Sequence, residues 1–352
     1  MRILLLLPNW LGDAVMATAA VESICERFPQ ARLTLVGSFV SVEALKHHPM
    51  CTHAYVDETK KGGNRMLNTY RFAKKIGKHD AAVSFRNQPH ASLLLKWTGT
   101  PKTVARKSWH SLLFLTDPVK ITPQEVNSSG YANAEFSSAE SSRADKPHSG
   151  PRTLHLVEQY EMLADRLTGQ HTAAGRLRLF IPPDTFERPT MGINPGATYG
   201  SAKRWYPEKF AAVAAHFASR FDIVIFGGPG ETEMADAVEN DLRARGVENV
   251  RNLAGKTTIE QLCAAIGGLS LFVTNDSGPM HVAAAYRIPT VAIFGPTRHK
   301  ETCQWKNPRS AIVRHEMECA PCMKRECPLK HHECMKSIEA FEVIEAAEKL
   351  IG

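Results

Sequence analysis

Short apolar runs alternate with helical patterns along most of this chain, and that alternation constrains the fold more than any other feature. The predicted strands are residues 3–7, 32–36, 53–56, 81–84, 191–194, 223–226, 271–274 and 291–294. The predicted helices are residues 14–28, 64–76, 154–167, 207–219, 231–245, 259–266, 280–286 and 338–350. Strands that alternate with helices form parallel βαβ units with helices on both faces of the sheet. The sequence therefore predicts an α/β fold.

The 352 residues are enough for two such domains. Ile181-Pro182-Pro183 is typical of a linker, so we expect domains over residues 1–180 and 181–337 and a closing helix over 338–352. Residues 127–150 are rich in Ser, Ala, Pro and Gly without apolar periodicity, which predicts a mobile loop in the first domain. Two doubly wound domains facing a cleft would bind ligands at the carboxyl ends of their strands.

Composition excludes a fibrous or disordered chain, since 43% of residues are apolar and 22% are charged. No apolar run approaches the ~20 residues of a membrane span. Pro8, Asn9 and Asp13 interrupt the apolar start, which argues against a signal peptide. We expect a cytoplasmic protein.

Positive charge is concentrated in one part of the sequence. The formal net charge is +7, yet residues 60–120 hold 13 Lys and Arg against only Asp80 and Asp117. This window predicts an anionic partner, which could be a phosphorylated substrate, an acidic membrane surface or nucleic acid. The plainer alternative is a solvated surface that aids solubility. Because the window contains no recognisable nucleic-acid motif, we do not expect nucleic acid to be the partner.

Three strand–turn–helix junctions in the second half are typical of a nucleotide-diphosphate site. They are Asn194–Trp205 with Lys203, Phe226–Glu233 with Glu231 and Glu233, and Thr274–His281 with Asp276, Ser277 and Gly278. Glycine turns and helix N-termini present N–H groups to phosphate, and a lysine adds charge. The alternatives are ordinary surface loops, glutamates that complement a helix dipole, and a histidine that only packs.

The turn Pro8–Asp13 occupies the corresponding position in the first half. Gly12 permits close approach to a ligand, and Asp13 stands at a helix start, where it could act on a substrate or simply cap the helix. The turn lacks G-x-G-x-x-G spacing, so a dinucleotide cofactor is not expected here.

Four of the eight cysteines cluster near the end of the chain, at Cys319, Cys322, Cys327 and Cys334, with His331 and His332 among them. In a cytoplasmic protein such a cluster indicates metal before disulfide, and structural zinc is the first candidate ahead of an iron–sulfur cluster. Reduced thiols or a redox-sensitive pair are the alternative.

Together these motifs resemble glycosyltransferase family nine. The resemblance rests on Asn9–Asp13, Pro195-Gly196-Ala197 with Lys203-Arg204-Trp205, Asn275–His281, and the segments 253–257 and 294–297, in this order along essentially the whole chain. It implies the GT-B architecture of two Rossmann-like domains. It also implies transfer of L-glycero-D-manno-heptose from ADP-heptose to the first heptose of the lipopolysaccharide inner core, with inversion and without a metal cofactor.

The resemblance assigns expected roles to individual residues. Asp13 matches the general base, Lys203 the donor-phosphate lysine, and Glu233 the ribose-binding acid, with Glu231 as a competing alignment. The turn containing Asp276, Ser277, Gly278 and His281 matches the donor-diphosphate loop. The expected partners are ADP-heptose, the inner-core acceptor and the anionic inner face of the inner membrane. Residues 127–150 depart from the pattern and leave acceptor contacts open.

Other functions remain open at this point. A relative that adds the first or third heptose, or another sugar, would carry similar motifs. A nucleic-acid-binding module rests only on the basic window, and a zinc-dependent interaction protein only on the cysteines.

Overall fold

The computed structural model describes residues 1–121 and 153–352 of the chain. The described residues divide into two compact units, one of residues 1–121 and 153–180 and the other of residues 181–352. The loop predicted over 127–150 lies outside the described residues.

The first unit is built on a parallel six-stranded sheet. Its strands are β1 (Arg2–Leu6), β2 (Arg32–Gly37), β3 (Cys51–Val56), β4 (Ala81–Ser84), β5 (Lys102–Arg106) and β6 (Asp117–Val119). Its helices are α1 (Leu11–Met16), α2 (Thr18–Arg27), α3 (Phe39–Leu45), α4 (Arg65–Ile76), α5 (Pro89–Thr98), α6 (Trp109–Phe114) and α7 (Leu156–Thr168). The strand order β3-β2-β1-β4-β5-β6 reverses direction between β1 and β4. That reversal is the topological switch point where doubly wound sheets bind ligands.

The second unit repeats this topology. Its strands are β7 (Thr190–Asn194), β8 (Asp222–Ile225), β9 (Val250–Asn252), β10 (Leu271–Asn275), β11 (Thr290–Ile293) and β12 (Ser310–Val313). Its helices are α8 (Pro207–Phe217), α9 (Thr232–Ala244), α10 (Ile259–Gly267), α11 (Gly278–Tyr286), α12 (His299–Thr302), α13 (Glu333–Lys336) and α14 (Ala340–Ile351). The order β12-β11-β10-β7-β8-β9 places the switch point between β7 and β10.

Burial of the central strands on both faces explains why the sequence folds this way. Ile3–Leu6 of β1 and all of β7 and β10 are buried, as continuous apolar strands covered by helices require. The predicted α/β class with two Rossmann-like parallel sheets is confirmed.

Two local predictions were wrong at the start of the chain. The helix predicted over 14–28 is two helices, α1 and α2, which meet at Ala17. The Thr18 hydroxyl donates a hydrogen bond to the Val15 carbonyl (2.6 Å), a side-chain bond that competes with regular helical pairing. The turn predicted over Pro8–Asp13 is also shorter, because α1 already begins at Leu11.

Among the described helices, none combines the length and apolarity that crossing a membrane requires.

Candidate active site

The loops that follow β7 and β10 are joined at the switch point of the second sheet by Asn275. This buried side chain accepts a hydrogen bond from the Trp205 backbone N–H (3.0 Å) and donates one to the Pro195 carbonyl (2.7 Å). A buried amide that satisfies both of its ends fixes the two loops relative to each other. Sequence analysis placed Asn275 in a motif but gave it no role.

Lys203 and Asp276 form a nearly buried ion pair between these two loops. Lys203 Nζ lies 2.6 Å from Asp276 Oδ2, and the two side chains are 13% and 5% exposed. The same Oδ2 atom accepts a hydrogen bond from the Thr297 hydroxyl (2.6 Å). A carboxylate at this position would repel an anion unless it capped the helix or oriented a neighbour. The structure shows the second arrangement, in which Asp276 holds the lysine in place.

The two candidate glutamates occupy different environments. Glu231 is buried, and its carboxylate accepts hydrogen bonds from the Gly228 N–H (2.7 Å) and the Thr198 hydroxyl (3.4 Å). The same carboxylate packs against Gly196 so closely that a Cβ would not fit there. Glu233 is exposed on the first turn of α9. Glu231 therefore joins the loops after β7 and β8, while Glu233 faces solvent.

The diphosphate loop predicted over 276–281 leads into α11. Ser277 is the N-cap residue, and Gly278 is the first residue of this nine-residue helix. The Asn194 side chain donates to the Ser277 hydroxyl (3.3 Å). His281 is buried, 4% exposed, within the first turn. Ser277 and Gly278 therefore stand at the positive end of the α11 dipole, beside the Lys203–Asp276 pair.

Residues from the cysteine-rich segment support the loop that carries Lys203. The Tyr199 hydroxyl donates to the Met323 carbonyl (2.9 Å), and the Ala202 N–H donates to the Arg325 carbonyl (3.0 Å). Gly200 lies so close to the Arg325 backbone that no side chain would fit. His332 Nε2 lies 2.9 Å from the Ala202 carbonyl, which can only accept. These contacts join residues more than a hundred positions apart, and no local sequence pattern signals them.

The four clustered cysteines line one small cavity of about 20 Å³, together with His331 and His332. Throughout residues 1–121 and 153–352, however, no group of three or more His, Cys, Asp or Glu side chains is arranged to hold a metal ion. The zinc site considered at Cys319, Cys322, Cys327 and Cys334 is therefore not supported by the arrangement of these side chains.

In the first unit, Asp13 lies at the carboxyl edge of the sheet, next to the switch point. It is half-buried and is the third residue of α1, so it is not the N-cap, which is Trp10. Ser38 and Ser41 of the next βα connection fix the preceding turn by donating to the Asn9 carbonyl (2.8 Å) and the Pro8 carbonyl. Burial and the negative charge of Asp13 together raise the pKa of the Tyr160 phenol well above its usual value.

A buried charged cluster at the same edge was missed by sequence analysis. Arg86, which follows β4, donates to the Leu7 carbonyl (2.5 Å) and to Asp57 (2.8 Å). Burial acts to raise the pKa of Asp57, but hydrogen bonds from His90 and Thr59 and the charge of Arg86 outweigh it and hold that pKa well below its usual range. The cluster ties the ends of β1, β3 and β4 together.

Both units are parallel doubly wound sheets with loops that meet at a switch point, which is where folds of this class bind nucleotide ligands. The sequence matches glycosyltransferase family 9 (heptosyltransferase) over residues 69–333. The chain therefore belongs to glycosyltransferase family 9 and is an enzyme of the glycosyltransferase class, which confirms the family and enzyme predictions.

Individual relatives agree with this membership. The chain is 34% identical to a lipooligosaccharide heptosyltransferase 2 of Campylobacter jejuni over 352 residues, which is 100% of this chain and 98% of the relative. The structure of Escherichia coli ADP-heptose lipopolysaccharide heptosyltransferase II matches with a TM-score of 0.76 and 22% identity, covering 100% of this chain and 98% of that one. E. coli heptosyltransferase WaaC with ADP-2-deoxy-2-fluoro heptose has a TM-score of 0.72 at 16% identity, covering 99% of each chain. The likeness to these solved structures supports the fold.

Proposed function

We propose that this enzyme transfers L-glycero-D-manno-heptose from ADP-heptose to the first heptose of the lipopolysaccharide inner core, with inversion at the anomeric carbon. The observation that carries the proposal is the Lys203–Asp276 pair beside the N-terminus of α11, at the switch point of a doubly wound sheet. A lysine held beside a helix N-terminus at a switch point is an arrangement that can bind a diphosphate. Family membership and the heptosyltransferase 2 name of the Campylobacter relative support heptose as the sugar.

The donor diphosphate binds, in this proposal, to Lys203 and to the α11 N-terminus around Ser277 and Gly278. As the sugar–phosphate bond breaks, negative charge grows on the departing ADP. A lysine already held in place stabilises that charge without having to reorganise. Asp276 is a positioning residue in this account, because a carboxylate at that point would repel the diphosphate if it met it directly. His281 is buried, so its proposed role is to shape the loop.

The ribose of the donor requires a hydrogen-bond acceptor near the loop after β8. Glu233 is exposed and available on the first turn of α9, whereas Glu231 already accepts two hydrogen bonds within the unit. We therefore assign the ribose to Glu233 and a loop-positioning role to Glu231.

Asp13 is the proposed general base. Inverting transfer requires a carboxylate to remove the proton of the acceptor hydroxyl while its oxygen attacks the anomeric carbon opposite the leaving ADP. A half-buried carboxylate at the carboxyl edge of the first sheet suits that task.

Transfer proceeds in this account without a metal cofactor, because Lys203 and the α11 N-terminus supply the positive charge on the diphosphate. The acceptor is a lipid-anchored, phosphorylated saccharide, and the basic window over residues 60–120 supports contact with the anionic inner face of the inner membrane rather than with nucleic acid. Addition of the first or third heptose, or of another sugar, is the alternative that acceptor preference distinguishes.

The base assignment is tested by Asp13→Asn. This change removes the proton acceptor but keeps the size of the side chain, so we expect transfer to fall roughly 10³-fold. Binding of ADP, measured by isothermal titration calorimetry, should be unchanged. Glu58→Gln, which alters an exposed carboxylate paired with Lys61 (2.7 Å), serves as the matched control. Transfer by Asp13→Asn at the wild-type rate would remove Asp13 from this role.

A further inference from the structure

Helix α6 exposes apolar side chains and buries polar ones, which is the reverse of an ordinary surface helix. Of its apolar residues, Trp109, Leu112 and Leu113 are 66%, 55% and 67% exposed and Phe114 is half-buried, whereas its polar residues His110 and Ser111 are buried. A surface helix of a globular protein turns its apolar stripe to the core. A contiguous exposed apolar patch marks an interaction site.

Specific hydrogen bonds hold α6 in this orientation. His110 Nδ1 lies 2.8 Å from the Ser92 hydroxyl of α5. Ser108 and Ser111 form a capping box, in which the Ser108 backbone N–H donates to the Ser111 hydroxyl (2.7 Å) and the Ser108 hydroxyl accepts from the Ser111 N–H (3.3 Å). The capping box fixes where the helix begins, and rotating the helix to bury its apolar side chains would break the His110–Ser92 bond and leave buried polar groups unsatisfied. The outward apolar face is therefore a fixed feature of the fold.

Exposed cations precede this apolar helix in the sequence and lie on the helices next to it. Arg106 and Lys107, both exposed, directly precede the helix. Within residues 101–121 the sequence has four Lys and Arg and a single carboxylate, Asp117, which is paired with Arg166 (2.6 Å). Helix α5 contacts both α6 and α4. Helices α4 and α5 add further exposed cations, which are Arg65, Arg71, Lys74, Lys75 and Lys96.

We infer that α6 is the membrane-binding element of this enzyme and that its partner is an anionic phospholipid bilayer. Trp109, Leu112 and Leu113 enter the boundary between headgroups and acyl chains, while Arg106 and Lys107 contact lipid phosphates. Tryptophan favours that boundary, because its ring is apolar and its N–H can meet polar headgroups. The inference rests on the proposed function only in that the acceptor is lipid-anchored, and it names the surface that reaches the membrane.

A second copy of the chain is a poorer fit to the same surface. Three side chains on a six-residue helix supply far less than the ~800 Å² per partner of a stable protein interface. The neighbouring cations would also repel their own copies across a two-fold interface. An anionic bilayer complements both the apolar side chains and the charge.

Vesicle flotation of the full chain tests the inference. We expect the wild type to bind phosphatidylcholine vesicles that contain phosphatidylglycerol and to bind pure phosphatidylcholine vesicles much less. Combining Trp109→Ser, Leu112→Ser and Leu113→Ser should lower the partition coefficient by about tenfold or more. Phe341→Ser on α14, where Phe341 is 65% exposed, is the matched control and should bind as the wild type. Combining Arg106→Gln and Lys107→Gln should weaken binding and flatten its dependence on salt.

Tryptophan quenching provides a measurement that needs no serine variant. Lipids brominated in their acyl chains should quench the fluorescence of the wild type, and Trp109→Phe should abolish most of that quenching. Wild-type vesicle binding by the triple serine variant would overturn the inference. So would a wild type that is dimeric by analytical ultracentrifugation and becomes monomeric only in that variant, or one that binds random oligonucleotides but not anionic vesicles.

Transfer assays separate this inference from the proposed function. The triple serine variant should match the wild type with a deacylated acceptor in solution and be slower with acceptor embedded in anionic vesicles. Vesicle binding that depends on α6 without any heptose transfer would contradict the proposed function alone. Heptose transfer with vesicle binding that does not depend on α6 would contradict the membrane inference alone.

Discussion

At the scale of single residues, the pairing of Lys203 with Asp276 explains how a nearly buried cation is held at the proposed diphosphate site before the donor binds. A lysine that is 13% exposed needs a counter-charge in the absence of ligand, and Asp276 supplies it at 2.6 Å. Thr297 fixes the carboxylate in turn. The sequence predicted both residues as part of a donor site, but it could not predict their contact, because 73 residues separate them and only the fold brings them together.

Replacing Lys203 should affect the donor specifically. For Lys203→Ala we expect kcat/KM for the donor to fall roughly 10²–10³-fold, since a preorganised charge at the leaving group is lost. Lys349→Ala, which removes an exposed lysine from α14, is the control. Steady-state kinetics with varied donor provide the measurement. Donor kinetics unchanged by Lys203→Ala would exclude this lysine from the site.

The buried pair of Asp57 and Arg86 gives a prediction for stability. The pKa of Asp57 is lower in the folded state than its value of about 4 in the unfolded state. Asp57 therefore stabilises the fold fully above pH 4, and this contribution disappears as the pH falls toward the folded-state pKa. Asp57→Ala should therefore lower the free energy of unfolding at pH 7 by about 3 kcal/mol. The difference from wild type should shrink below pH 4.

Urea denaturation at pH 7 and at a pH below 4 measures this difference in the free energy of unfolding. Glu58→Gln removes an exposed carboxylate nearby in the sequence and should change stability by less than about 1 kcal/mol, as surface pairs do. A deficit of Asp57→Ala that is the same at pH 7 and below pH 4 would contradict the electrostatic account.

At the scale of elements, the sequence predicted the strands with long apolar runs and missed β5, β6, β9 and β12. β1, β4, β7 and β10 are rich in apolar residues and are buried almost throughout, and this composition is visible in the sequence. β6 and β9 have three residues each, too few to show a period. β5 has polar ends around two apolar residues, and β12 has an apolar run of only three residues, so neither stood out as a strand in the sequence.

The cysteine-rich segment shows that prediction from sequence is also limited at the candidate site. Its cysteines suggested a metal site. In the structure, backbone carbonyls of this segment and His332 form hydrogen bonds with the loop of Lys203. Because the Ala202 carbonyl only accepts, Nε2 of His332 carries a proton, and in the neutral ring Nδ1 accepts from the Tyr206 hydroxyl (3.2 Å). The segment therefore positions the loop of Lys203, which is the proposed donor-binding element.

Removing His332 should loosen that element. For His332→Ala we expect KM for the donor to rise about fivefold, the equivalent of one hydrogen bond, with a smaller change in kcat. His331→Ala alters the exposed neighbouring histidine and is the matched control. Equal donor kinetics in the two variants would show that His332 does not position the loop.

At the scale of the whole molecule, the two units share one strand order but differ in what their loops carry. The first unit places Asp13 and the Asp57–Arg86 cluster at its carboxyl edge and contains the basic window, while the second places Lys203 and the α11 N-terminus at its own. The basic window was visible in the sequence, but the outward apolar face of α6 within it was not, because it depends on which side of a six-residue helix the fold buries.

The central claim is heptose transfer to a one-heptose acceptor, and a single assay measures it directly. The purified chain is incubated with ADP-heptose in buffer containing EDTA, together with inner-core acceptors that carry zero, one or two heptoses, and the products are weighed by mass spectrometry. We predict that the one-heptose acceptor gains one heptose and that the other two are extended far more slowly. Preference for another acceptor, or no transfer to any of them, would contradict the proposed function.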